Sequence, residues 1–370
     1  MTRRQFAATL GAVPMLAAAR STRADARQDD VASLYSRAIV IDALANPGSM
    51  NVSWPPRGPL SQKQRDAIAS SGITAINVTV SADFEGSVRN IALWQGEADR
   101  YPALLSVVRR HADIERAKRD RTLGLILGFQ NTDMIERDIS RVDLFARLGI
   151  RIIQLTYNDR NLVGDGCLEA GNAGLSAFGR EVVERMNTLG VAADLSHCGT
   201  QTTADGIAAS TKPPLITHSG CREVYRHPRS KEDRELKAMA DKGGVVGIYF
   251  MPFIGPGPGA PTVEMLMRQI DHAVRICGVD HVGIGSDLST TPIEETPEYL
   301  REHKSFVDGR VKRGISAPDE MRPLFIPELN HPRRLEGVVR GLRQRKYTTD
   351  VIEKIIGGNF HRVFKEIWTL

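Results

Sequence analysis

Eight short runs of apolar and β-branched residues, each followed by a stretch with helical periodicity, constrain this chain more than any other feature of it. They cover 38–44, 73–80, 123–130, 150–157, 191–197, 214–219, 243–250 and 281–287. Short runs of this kind without polar alternation read as strands buried on both faces, the habit of parallel sheet. The stretches between them read as helices. In 176–189, Phe178, Val182, Met186 and Leu189 lie on one stripe, with Ser176 placed to cap the start and Gly190 to stop the end. Eight such units in series predict an α/β fold, a (β/α)8 TIM-type barrel. An open doubly wound sheet would want a glycine-rich phosphate loop after the first strand, which runs instead into Leu44-Ala45-Asn46-Pro47. A chain of 370 residues fits one barrel with appendages. Beyond Asp287, the polar, proline-bearing residues 292–332 read as a lid or interface segment. Two helices, 335–346 and 350–356, form a C-terminal helical extension.

Residues 1–26 have a different character. Arg3-Arg4 precede a mildly apolar run from Phe6 to Ala19, and Ala24-Asp25-Ala26 offers a small-residue cleavage site, the pattern of an export signal. The opening Thr2-Arg3-Arg4-Gln5-Phe6 resembles a twin-arginine signal, so a periplasmic location is expected, with 27–370 as a single barrel domain. The run is too short for a stable membrane span, and no other segment approaches about 18 uninterrupted apolar residues. Four arginines and one aspartate in the signal account for three of the five formal positive charges. The remaining basic residues are scattered, and Arg340 to Lys346 read as a solvated helix face, so nucleic acid is not an expected partner. Cys167, Cys198, Cys221 and Cys277 lack zinc-finger spacing. Export permits disulfides, and Cys198 and Cys221 both follow strand ends and could bridge, but folding before export argues against reliance on such a bond.

Catalytic groups of such barrels stand at the carboxyl ends of the strands. Here those ends carry Leu44 and Asn46, Gln130, Tyr157 with Asn158 and Asp159, His197, His218, and Asp287. His197 and His218 end successive strands with one helix between them, so both imidazoles aim into one mouth, where they could share a metal or pass a proton. Asp287 is placed to be a ligand or an acid/base.

The runs DLSHC (194–198), ITHSGCREVYRHPRS (216–230), DHVGIGSD (280–287) and IIGGNFHRVF (355–364) resemble the membrane (renal) dipeptidase family over about residues 38–365. The resemblance implies an amidohydrolase-type barrel with two zinc ions that cleaves dipeptides, and, for a bacterial member, a homodimer. It assigns His197 and His218 as ligands of the second metal, Arg229 as the cation that binds substrate carboxylate, and Asp287 as the catalytic acid/base.

The chain departs from that pattern at three strand ends. Leu44 and Asn46 stand where the family has a His-x-Asp pair for the first zinc, Gln130 where it has a bridging glutamate, and Tyr157 where a histidine contacts substrate. Leucine has no ligand atom and amides are weak, uncharged ligands, so at most one zinc is expected, and none is an alternative. The substrate is expected to be small and to carry a carboxylate, held by Arg229 with Asn46, Gln130 and Asn158. Asp287, His197, His218 and Tyr157 are the groups for chemistry. Three functions stay open: hydrolysis with at most one zinc, a metal-independent lyase or isomerase reaction, and binding without catalysis.

Overall fold

The computed structural model describes residues 31–48 and 58–368, and the export signal expected at 1–26 lies outside them. In chain order the strands are β1 (Ile41–Asp42), β2 (Ala45–Asn46), β3 (Ala75–Thr79), β4 (Leu105–Val107), β5 (Leu123–Phe129), β6 (Ile150–Gln154), β7 (Ala192–Asp194), β8 (Leu215–Ser219), β9 (Val245–Ile248), β10 (Val282–Ile284) and β11 (Leu288–Ser289). The helices are α1 (31–37), α2 (Gln62–Ser71), α3 (Phe84–Arg100), α4 (His111–Asp120), α5 (Ser140–Leu148), α6 (Ala177–Thr188), α7 (Thr200–Ala209), α8 (Asp233–Asp241), α9 (Val263–Cys277), α10 (Pro297–Lys312), α11 (Arg334–Gln344), α12 (Thr349–Glu353) and α13 (Asn359–Ile367).

Eight parallel strands run in the order β1-β3-β5-β6-β7-β8-β9-β10, as the eight apolar runs predict, and β4 adds to β5. The seam between β10 and β1 is bridged by Ala43 N donating to Ile284 O at 2.9 Å. Above it β11 pairs with β2, Leu288 opposite Ala45 and Ser289 opposite Asn46. This is a (β/α)8 barrel with C-terminal helices.

Asp42, the acid of the first strand, works in this seam and not in the mouth. Its carboxylate accepts Ser286 N at 2.7 Å, Ser286 Oγ at 2.5 Å and Arg334 Nη2 at 2.9 Å, all buried. Burial pushes the carboxyl up while Arg334 and Ser286 pull it down. The pair locks the first strand, the last strand and α11 together.

The helical stripe at 176–189 forms α6, with Ser176 Oγ accepting Gly179 N at 2.9 Å and Gly190 in the left-handed region just beyond it. Two elements differ from expectation. The segment 292–332 contains a regular helix, α10, started by Thr296, whose Oγ1 accepts Tyr299 N at 3.1 Å, and by Pro297. The C-terminal extension does not end at 356: α12 passes through a π turn at Lys354–Gly358 into α13. Phe360, Val363, Phe364 and Ile367 recur at i, i+3, i+4 and i+7, so they share one face. That face is buried against Ile41, Ala75, Ala192, Leu215 and Val245 at the amino ends of the strands. α13 therefore plugs the barrel floor. Gly357 permits the approach, since a Cβ there would stand 2.3 Å from Ile39 O.

Cys198 and Cys221 do not bridge: all four cysteines are free. Cys198 Sγ accepts the Thr156 hydroxyl at 3.4 Å, whereas Cys221 Sγ turns to Gln269 O on α9 at 3.6 Å. Among the described residues no helix is long and apolar enough to cross a membrane.

Candidate active site

The carboxyl ends of the strands open into a cavity of about 670 Å³. Leu44, Asn46, Gln130, Tyr157, Asn158, His197, Arg229 and Asp287 line it, and His218 lies directly behind His197. Every site residue expected from the sequence is thus brought to one place. Phe306, Val307 and Arg310 of α10 line the same cavity from above the strand ends.

The two histidines face each other through their Nε2 atoms, 2.9 Å apart. Their other nitrogens are committed. His197 Nδ1 lies 2.6 Å from Asn158 Oδ1, and the Asn158 amide is oriented by donating from Nδ2 to Ile315 O at 2.8 Å. His197 Nδ1 is therefore the donor. His218 Nδ1 lies 2.9 Å from Thr217 Oγ1, whose own proton goes to Asp194 at 2.6 Å. Asp194 also accepts the Ser196 hydroxyl and the backbone N–H groups of Ser196 and Thr217, a set of four donors that suits a carboxylate. Burial first, then the positive charge of Arg229, holds both imidazoles well below their usual pKa. Two neutral rings with protonated Nδ1 leave two Nε2 lone pairs facing each other, an arrangement that calls for a shared proton or a cation between them. These are the mouth residues able to hold a metal. Gln130 Nε2 approaches the same His218 nitrogen at 3.4 Å.

Asp287 follows β10 with φ of 59°, a left-handed conformation that aspartate tolerates better than most residues, and its N–H donates to Leu44 O at 2.9 Å. Burial pushes its carboxyl up to about 7 against the pull of Arg229. A carboxyl poised there can take and return a proton at neutral pH. Arg229 is buried and spends Nη1 on Ser196 O at 2.6 Å and Nη2, weakly, on His218 O at 3.4 Å. It is both a cation at the cavity wall and a clasp for the strand ends that carry the histidines.

Tyr157 stacks on His197 with centroids 4.2 Å apart. Arg310 donates to its hydroxyl at 3.3 Å and lies over the ring at 5.3 Å. Glu320 grips Arg310 with both oxygens, at 2.8 and 2.9 Å. Sequence reading missed Arg310 and Glu320. The polar segment that carries them has no strand-end position to mark them, and only the helical spacing of Phe306, Val307 and Arg310 could have drawn attention to one face.

The profile of the membrane dipeptidases, peptidase family M19, matches residues 61–316. Dipeptidase verJ of Clonostachys rogersoniana is 30% identical over 277 residues, 73% of this chain and 68% of that one. Dipeptidase tcpJ of Claviceps purpurea is 26% identical over 289 residues, and the chain spans 61% of its length. Among solved structures, an amidohydrolase from Pseudomonas aeruginosa superposes with a TM-score of 0.80 at 32% identity, covering 92% of this chain and 99% of that one. A metallopeptidase from Rhodobacter sphaeroides liganded with a phosphinate mimic of the dipeptide L-Ala-D-Ala shares the fold, with a TM-score of 0.71 at 17% identity over 90% of this chain and 100% of that one. The profile covers more than half of the chain and the barrel agrees with it: the chain belongs to the membrane dipeptidase family, peptidase family M19.

Proposed function

We propose that this protein hydrolyses a small dipeptide-like substrate with a free carboxylate, using Asp287 as acid/base and no more than one zinc ion in the barrel mouth. The observation that carries the reading is Asp287 itself, a carboxyl poised near 7 in the same cavity as Arg229 and the facing histidine pair. The dipeptidase names of two relatives, and the dipeptide mimic in the Rhodobacter enzyme, support a substrate of this class.

The donor set fits half of a two-zinc site. Leu44 offers no lone pair, and Asn46 Oδ1 already accepts Gly48 N at 2.8 Å. Gln130 directs an amide nitrogen to His218 and brings no charge to balance an ion. These residues do not fit the family's first zinc. His197 and His218 offer two Nε2 ligands to one ion, for which Asp287 or a substrate oxygen would supply a third, and that ion would supply Lewis acidity when bound. The chain's own groups do the rest. Arg229 anchors the substrate carboxylate, and the Tyr157 ring and Arg310 close the cavity over it. Ionised Asp287 takes a proton from the attacking water and returns it to the leaving amine nitrogen, so the proton count closes over the cycle.

The loss of ligand atoms at Leu44 favours one second reading, a metal-independent elimination or isomerisation by Asp287 and the histidines. Amine release from a panel of dipeptides, with and without exhaustive chelation, separates the two. Hydrolysis that depends on Asp287 supports our reading. Chelation-insensitive turnover without peptide cleavage would replace it with the lyase or isomerase, and binding without turnover would leave a binding protein. A periplasmic homodimer completes the proposal, supported by the arginine pair at 3–4 and by the family resemblance.

A further inference from the structure

A second constellation with ligand chemistry lies at the barrel floor, at the opposite end of the strands from the mouth. α4 opens with His111 and carries Glu115 one turn later, so both project from one face of the helix. α13, the floor plug, packs beside α4 and presents His361 to the same place. One nitrogen of each imidazole and one Glu115 oxygen all lie within 4.8 Å of one another. The rings are 4.1 Å apart between centroids and tilted by 37°.

Three details set this group apart from a chance cluster. His361 Nε2 is buried and has no hydrogen-bond partner. Glu115 Oε1 stands 3.7 Å from it, too far for a direct bond. Donors around a tetrahedral zinc with bonds of about 2.0–2.1 Å stand roughly 3.3 Å apart, so the gap is closer to a metal's bite. His111 Nε2 lies 3.1 Å from His361 O and donates to it, so the lone pair of the neutral ring is on Nδ1. A backbone carbonyl fixes the tautomer of a metal-bound imidazole in the same way. The group formed by Glu223, Asp233 and His272 lacks these features. There His272 Nε2 is spent on Asp233 at 2.6 Å and Nδ1 on Arg275 at 2.6 Å, and no lone pair is left.

We infer that His111, Glu115 and His361 bind a divalent transition-metal ion of the zinc class, which clamps the floor plug α13 to α4. Two imidazoles and a carboxylate suit zinc and its neighbours and leave one position for water. An ion that binds the folded chain and not the unfolded one stabilises the fold.

The test titrates metal-stripped full-length protein with zinc alone, in a His197→Ala/His218→Ala variant so that the mouth does not compete. The expected result is one zinc per chain and an unfolding midpoint raised by several degrees, with no such rise from magnesium. Glu115→Gln, at a half-exposed position, and His361→Ala are each expected to weaken zinc binding at least tenfold with an unchanged circular dichroism spectrum. In the chain with an intact mouth the same two substitutions remove one zinc equivalent, a comparison that holds if the mouth variant fails to fold. Zinc affinity unchanged by both floor substitutions, no zinc bound when the mouth ligands are gone, or an equal effect of magnesium would overturn the inference. Each of these outcomes leaves the reading of the mouth untouched.

Discussion

The chemistry proposed for this protein rests on one carboxyl, Asp287, and its buried position has a cost that can be measured. Its pKa in the folded chain, about 7, lies above its ordinary value of 3.8. Its contribution to stability is therefore fully present below about pH 4 and is lost as the pH rises through 7. Asp287→Asn should raise the unfolding midpoint at pH 8, with the difference shrinking toward pH 5. The same substitution should lower turnover by about 10²- to 10⁴-fold and remove the rise in kcat/KM expected of the wild type through pH 7. Restoring ligands is the converse experiment: Leu44→His, Asn46→Asp and Gln130→Glu together should add one zinc per chain by elemental analysis. His197, His218 and Asp287 were legible in the sequence because reactive residue types stand out against apolar strands. Arg229 lies in the loop after β8 and was reached only through family resemblance. The partner of Asp42, Arg334, is 292 residues away, and nothing local in either stretch announces the pair.

Two helices decide how the barrel is closed at its ends. Over the mouth, α10 is fastened by the buried Arg310–Glu320 pair. Glu320→Ala leaves a buried guanidinium without its counter-charge and should cost about 3 kcal/mol in urea unfolding, with KM rising as the roof loosens. At the floor, Phe364 is fully buried, and Phe364→Ala should cost about 3–5 kcal/mol by the same measurement. The sequence made the strands plain but not these helices. Gly357-Gly358 reads as a helix stop, whereas the first of those glycines lets the chain pass against β1 before the helix resumes. α10 is hidden differently, its one buried face being too polar to stand out from a loop. The first strand is also shorter than its apolar run, because after Asp42 the chain bends so that Ala45–Asn46 can pair with β11.

As a whole the molecule keeps the dipeptidase barrel, and we propose that half of the family's donor set in the mouth is altered. The export we propose for it rests on Arg3 and Arg4. Replacing both with lysine should leave the precursor in the cytoplasmic fraction on immunoblotting, while the unaltered chain reaches the periplasm. The altered mouth is the central claim, and locating the ions tests it most directly. Anomalous diffraction at the zinc edge, from crystals grown with zinc, should show at most one peak in the mouth, between His197 and His218, and nothing beside Leu44 and Asn46. Two mouth peaks about 3.5–4 Å apart would contradict the account.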